Sequence, residues 1–263
     1  MYSIRSSKVI PILLDAIDIP NSAYEKAIAR YEDFGGWLCR PDSSCSQFSP
    51  TVFPQGSFLL GTVTRPSNAQ EEYDLDIAVK LVKGISKQTH TQKELKSLVG
   101  REIEAYRQAR RIEEELREKK RCWRLDYRDQ LSFHMDILPC VPKSEDWQYQ
   151  IERKLIASIA NELLAAEIAR NSVSITDIEH PDYDLISSDW NVSNPQGYGR
   201  WFASRVHLAE NTIRDRLRME RKANIEQIPP YRLKAPLQRC VQLLKVHRDR
   251  MFQNAPDQKP ISI

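Results

Sequence analysis

Apolar positions recur at helical spacing near both ends of the chain and alternate, as in strands, through its middle. Residues 5–18 and 21–34 read as helices. The second is entered through Pro20, Asn21 and Ser22 and stopped by Gly35 and Gly36, and both can pack on the back of a sheet. The stretch "RPDSSCSQFSP" at 40–50 is loop by composition. Strand signals follow at 51–53 and at 73–82, where "YDLDIAVKLV" alternates and then turns wholly apolar, as a strand entering a core does. Leu95, Leu98, Ile103, Tyr106 and Ile112 predict a long polar helix from about 91 to 120. "CWRLDYR" and "LSFHMDILPCVP" alternate on either side of Asp129 and Gln130, an antiparallel hairpin. Helical spacing returns at about 148–170, 197–222 and 235–253, with 171–197 as a long irregular connection. This order of elements is α+β: a mixed twisted sheet in residues 1–145 with N-terminal helices, then a helical lobe in 146–263. The last residues, "QKPISI", start an apolar segment just after a proline, so the C-terminus reads as cut short.

Composition narrows the class without naming the chemistry. The 263 residues, 41% hydrophobic and 29% charged, suffice for one large domain or two modest ones. A formal charge of +3 permits anionic ligands but is too mild to imply constitutive nucleic-acid binding. No apolar run approaches a membrane span and the start lacks a signal-peptide cleavage region, so a cytoplasmic protein is expected, with no membrane partner. Cys39, Cys45, Cys122, Cys140 and Cys240 form no C-x-x-C pair, so free and mostly buried thiols are expected.

The chemistry concentrates in the middle of the chain. Asp74 and Asp76, two apart on a strand, leave the same face while Leu75 and Ile77 leave the other. Two carboxylates on one face repel unless a cation sits between them, and a pair of Mg²⁺ ions about 4 Å apart is the usual arrangement for metal-assisted phosphoryl chemistry. A solvated edge strand is the plain alternative. Asp136, in "SFHMDILPC", is flanked by apolar residues, and a carboxylate there is costly unless it is paired or metal-bound. It joins the other two if the strands are neighbours; a salt bridge to an arginine is the other outcome. Gly56 and Ser57, after Pro54 and Gln55, form a turn that can open a short helix, where glycine admits a phosphate to the backbone and the hydroxyl adds a donor.

Taken together, the Gly-Ser turn, D-x-D and a later strand aspartate resemble the DNA polymerase beta-like nucleotidyltransferases. "QGSFLLGTVTRP", "EYDLDIAV" and "MDILPCVP" resemble more closely the bacterial cyclic-oligonucleotide synthases, the CD-NTases of antiphage defence related to cyclic GMP-AMP synthase and oligoadenylate synthase, and "APLQRCVQLLKVHRDR" extends the likeness. The resemblance implies that Gln55, Gly56 and Ser57 bind the donor nucleotide. It further implies that Asp74 and Asp76 ligate two Mg²⁺ ions, with Mn²⁺ as a substitute, and that Asp136 binds the ion that activates the attacking hydroxyl. Lys245 matches a lysine that contacts the donor phosphates, and Ser262 a serine that does likewise.

The implied activity is template-independent joining of NTPs into a cyclic di- or trinucleotide that signals to a separate effector, with regulatory proteins as further partners. No zinc-binding insertion is visible, so activation by DNA is not expected. The competing readings are an enzyme making linear oligonucleotides or modifying RNA or protein, and a silent nucleotide- or RNA-binding sensor. His134 and His247 read as structural or solvent-facing. Arg107, Arg110, Arg111 and Arg121 read as a solvated helix face from which a regulator could be met. Tyr198, Arg200 and Trp201 read as packing between lobes, with a base cradle as the alternative.

Overall fold

Along "YDLDIAVKL" the side chains of Tyr73, Leu75, Ile77, Val79 and Leu81 all leave one face of a strand and all are buried. That strand is central in the computed structural model, which describes residues 3–66, 72–128, 132–159, 161–206 and 234–255, with 258 and 260. The described elements are, in chain order, α1 (Ser3–Ile17), α2 (Asn21–Leu38), β1 (Pro50–Pro54), α3 (Gly56–Leu60), β2 (Tyr73–Leu81) and α4 (Gln92–Ala109). There follow β3 (Arg117–Glu118), β4 (Trp123–Tyr127), β5 (Phe133–Pro142), α5 (Glu145–Ile159), α6 (Glu162–Arg170), β6 (Val173–Ile175), β7 (Val192–Ser193), α7 (Pro195–Arg205) and α8 (Pro236–Met251).

The fold is α+β around one mixed sheet ordered β1-β2-β5-β4-β3, with β6 pairing β5 and β7 pairing β6. Only β2 and β5 pair in parallel among these strands, with Asp76 opposite Asp136 and Asp74 opposite His134. The β4–β5 pairing is antiparallel, as the alternating runs predict. The back of the sheet packs on α2 and α4 through Tyr31, Phe34, Leu38, Leu95, Val99, Ile103 and Tyr106. On the front, Phe53, Ala78, Leu138, Cys140, Val173 and Ile175 form a smaller core at one end and leave the other end to polar groups.

Several elements differ from the sequence reading. Helix α2 runs through Gly35 and Gly36 to Leu38. A helical glycine costs up to about 1 kcal/mol against alanine. Fully burying side chains such as Phe34 and Leu38 contributes about 1.5–3 kcal/mol each, which outweighs it. Helix α4 stops at Ala109, just before Arg111 adopts a left-handed conformation (φ 54°), and the chain turns into β3. The fully buried Lys96 secures that return by donating to the carbonyls of Lys119 and Lys120. The predicted helix at 148–170 is two helices, the second capped by Asn161, whose Oδ1 accepts from the Leu164 amide at 3.0 Å. Helix α1 meets α8 and exposes Val9, Ile10, Ile12 and Leu13 instead of lying buried behind the sheet. The predicted helix 197–222 is described only to residue 205. All five cysteines are free, but only Cys45 and Cys140 are buried, and Cys240 is exposed. Among the described residues no helix is long and apolar enough to cross a membrane.

Candidate active site

Parallel pairing in register decides what the site contains. Side chains opposite one another on β2 and β5 leave the same face, so the in-register pair Asp76 and Asp136, with Asp74 two residues earlier, places all three carboxylates on the front of the sheet. Asp74 is exposed at the rim, while Asp76 and Asp136 are half-buried. Burial, then the charges of Asp74 and Asp136, pushes the Asp76 carboxyl up to about 7. Such a site is short of positive charge.

Two resident cations supply part of it. Arg124 on β4 stands opposite Asp136 and grips it as a fork, Nε to Oδ1 at 2.7 Å and Nη2 to Oδ2 at 2.6 Å. The two outcomes left open for Asp136 therefore coexist: it joins the other aspartates and it holds an arginine. His134, opposite Asp74, pairs through Nε2 with that carboxylate and through Nδ1 with Glu72 at 2.9 Å. Burial opposes its charge, yet the hydrogen bonds with Asp74 and Glu72 prevail and raise its imidazole to about 9. Asp74 is likewise pushed up by burial, but His134 and Arg124 outweigh this and hold it below the usual carboxylate range. Glu72, Asp126 and His134 also bring one donor atom each within 4.8 Å of the others. With a carboxylate on both nitrogens, protonated His134 serves that group as its cation and not as a metal ligand.

The Gly-Ser turn closes the site from β1. The Gln55 amide donates to the Asp76 carbonyl at 2.8 Å and its side chain to the Ile77 carbonyl at 3.3 Å, which ties the turn to β2. Gly56 sits at φ +58°, and a Cβ there would lie 2.2 Å from Oδ2 of Asp76. Only glycine lets the backbone lie against that carboxylate. Helix α3, opened by Gly56 and Ser57, is five residues long, and its last turn is held by α8. Gln238 donates to the Leu60 carbonyl at 2.9 Å, and Gln242 to that of Val63 at 2.6 Å. Lys245 donates to the Thr62 carbonyl at 3.2 Å. Its ammonium is pushed down by burial and by Arg248, against the pull of Asp76 and Asp74. Lys245 thus comes to the turn, whereas Ser262 lies outside the described residues.

The remaining sequence candidates are mostly engaged elsewhere. Arg107 pairs with Glu104, Arg110 with Asp33 and Arg121 with Asp177. Arg200 pairs with Glu167, Tyr198 lies against Trp201 at 5.5 Å between ring centres, and Gly199 lets α7 approach Leu59 of α3. A cavity of about 580 Å³, lined by Arg30, Asp33, Tyr106, Arg110 and Tyr127 among others, contains none of the three aspartates. Sequence reasoning missed the roles of Arg124 and Glu72, and its reading of His134 as structural or solvent-facing did not include the pairing with Asp74. The alternation in "CWRLDYR" did carry a signal, since it puts Arg124 on the polar face of a strand predicted to pair with that of Asp136.

Residues 50–139 match the family described as cyclic GMP-AMP synthase DncV-like, nucleotidyltransferase domain. That span contains Gln55, Gly56, Ser57 and all three aspartates. The chain is 26% identical over 251 residues to a c-di-GMP synthase of Roseivirga ehrenbergii, covering 95% of this chain and 56% of that protein. It is 23% identical over 264 residues to the cyclic dinucleotide synthase CdnG of Bradyrhizobium diazoefficiens, covering 94% of this chain and 54% of that one. The structure of that CD-NTase CdnG in complex with GTP superposes with a TM-score of 0.62 at 21% identity, over 96% of this chain and 66% of that one. In residues 50–139 and in fold the chain is similar to bacterial cyclic-dinucleotide synthases. It spans about half the length of the curated relatives it matches.

Proposed function

We propose that the chain carries the nucleotidyl-transfer site of a cyclic-oligonucleotide synthase, joining NTPs without a template into a cyclic di- or trinucleotide. The observation that carries this reading is the in-register pairing of Asp76 with Asp136, which gathers three carboxylates beside the backbone of Gly56. Oxygen donors, a half-buried floor and a carboxyl raised to about 7 suit hard divalent cations, Mg²⁺ with Mn²⁺ as a substitute. Asp74 and Asp76 would share both ions, and Asp136 would hold the one beside the attacking hydroxyl. When bound, such ions neutralise the phosphate and acidify the hydroxyl that attacks it.

The protein's own part is alignment and grip. Gln55 and Gly56 bring backbone to the donor phosphates, Ser57 adds a hydroxyl, and Lys245, already at Thr62, adds an ammonium from α8. Ser262 is assigned to the same phosphates by resemblance alone. In this reading residues 1–145 supply the carboxylates, residues 146–263 close over the nucleotide, and the product acts on a separate effector in antiphage defence. Relatedness to synthases named for c-di-GMP and cyclic dinucleotides supports a cyclic product.

The test is incubation of the folded chain with all four labelled NTPs and Mg²⁺, followed by phosphatase digestion and mass spectrometry. Pyrophosphate release with a phosphatase-resistant cyclic product is expected. Linear products that phosphatase strips to a free 5′-hydroxyl would make it a linear polymerase, label transferred to RNA or protein a modifying enzyme, and absence of pyrophosphate a silent sensor.

A further inference from the structure

Of the three aspartates, two are already bonded to a cation of the protein itself. Asp74 has His134, and Asp136 has Arg124. The described residues place no ion pair on Asp76, against which Gly56 stands. The two caps are not equivalent. His134 divides its nitrogens between Asp74 and Glu72, while Arg124 commits two donors to the two oxygens of one carboxylate. A fork of this kind is short, directional and charge-assisted, and it takes a lone pair on each oxygen that a metal would use.

The fork is also hard to avoid. Arg124 and Asp136 are directly opposite on hydrogen-bonded strands, and their side chains are only 24% and 18% exposed. Neither backbone can retreat without breaking the β4–β5 ladder, so the guanidinium stays within reach of Asp136 whether or not an ion arrives. On the other side of β4, from β3, Arg117 pairs with Asp126; it is half-exposed and on a different carboxylate.

We propose that Arg124 is a positioning residue of this site: it fixes the Asp136 carboxylate on the front of the sheet and competes with divalent cations for it, thereby setting the metal affinity. The inference rests on the reading that Asp74, Asp76 and Asp136 hold divalent ions. Removing the guanidinium strengthens metal binding, because one positive charge leaves a half-buried site and both oxygens are freed. It weakens turnover, because Asp136 is no longer aimed.

The experiment is titration of the EDTA-stripped full chain with Mn²⁺, following free ion by electron paramagnetic resonance. Arg124→Met should bind Mn²⁺ about tenfold more tightly than wild type, with lower kcat and a lower metal requirement in turnover. The gain should vanish in Arg124→Met combined with Asp136→Asn, and Arg117→Met should leave affinity unchanged. If Arg124→Met does not fold, Arg124→Gln carries the same expectation. Equal or weaker binding by a folded variant, beside saturable wild-type binding, would overturn the role of Arg124 and leave the metal reading standing. No saturable binding to wild type would overturn both. A purely structural arginine would lower the melting temperature and leave Mn²⁺ affinity where it was.

Discussion

Replacing Gly56 by alanine tests whether the turn and the carboxylates are one device. The new Cβ would lie 2.2 Å from Oδ2 and 3.0 Å from Cγ of Asp76, inside van der Waals contact with the oxygen by roughly 1 Å. Glycine's φ of +58° adds about 1–2 kcal/mol of strain for any L-residue. The turn cannot swing out, because the Gln55 amide is bonded to the Asp76 carbonyl. The aspartate must rotate instead, at about 0.5–1.5 kcal/mol for an off-rotamer side chain. A stability loss of about 2–3 kcal/mol is therefore expected. A misplacement of about 1 Å at a reacting centre costs on the order of a hundredfold in rate. Thermal melting and kcat/KM from pyrophosphate release separate the two effects, with Gly36→Ala as a control. Its Cβ would meet nothing within 4 Å in a helix, so it should gain about 0.5–1 kcal/mol and keep full activity. A folded Gly56→Ala protein with wild-type kcat/KM would refute the reasoning, since the carboxylate would then have a second working position.

Asp76→Asn should abolish pyrophosphate release while metal-free melting is kept or raised, because the repulsion that raises the Asp76 carboxyl disappears and the Asp74–His134 pair stays; wild-type turnover would remove Asp76 from the site. Lys245→Ala forfeits a charge-assisted phosphate contact worth about 1.5–3 kcal/mol and should lower kcat/KM roughly ten- to a hundredfold. Unchanged steady-state kinetics would leave it a tether for Thr62 alone. Asp18 is pushed up by burial, but Lys234, Gln242 and Arg239 prevail and hold it below the usual range. Its contribution is therefore present above the unfolded value of about 3.9 and lost as pH falls through the lower folded value. The melting gap between wild type and Asp18→Asn should be wide at pH 7 and close on acidification below about pH 4. A gap of constant width would contradict the ion-pair account.

Local chemistry by itself determined much of this protein. Alternation in 73–81 and 133–142 defined two strands and showed which residues share a face, because the pleat has a period of two. A glycine beside a serine marked the turn, where φ +58° favours glycine and a Cβ would strike Asp76. The same local rules misjudged the end of α2 and of α4, where burial of Leu38 and the anchoring of residues 119 and 120 by Lys96 outweigh propensity and charge pattern. Which strand lies beside which is not a local property. The parallel pairing of β2 with β5, separated by α4 and two other strands, is what sets Asp136 against Asp76, and nothing within either segment states the register. The partners that temper the site, Arg124 through the hairpin and Lys245 from α8, follow from that pairing and from the tie between α8 and residues 60–63. Residue types and spacing thus made the acidic chemistry legible. Only the tertiary structure decided which charges stand within hydrogen-bond reach of it, since Coulomb interactions depend on distance and burial and not on position along the chain.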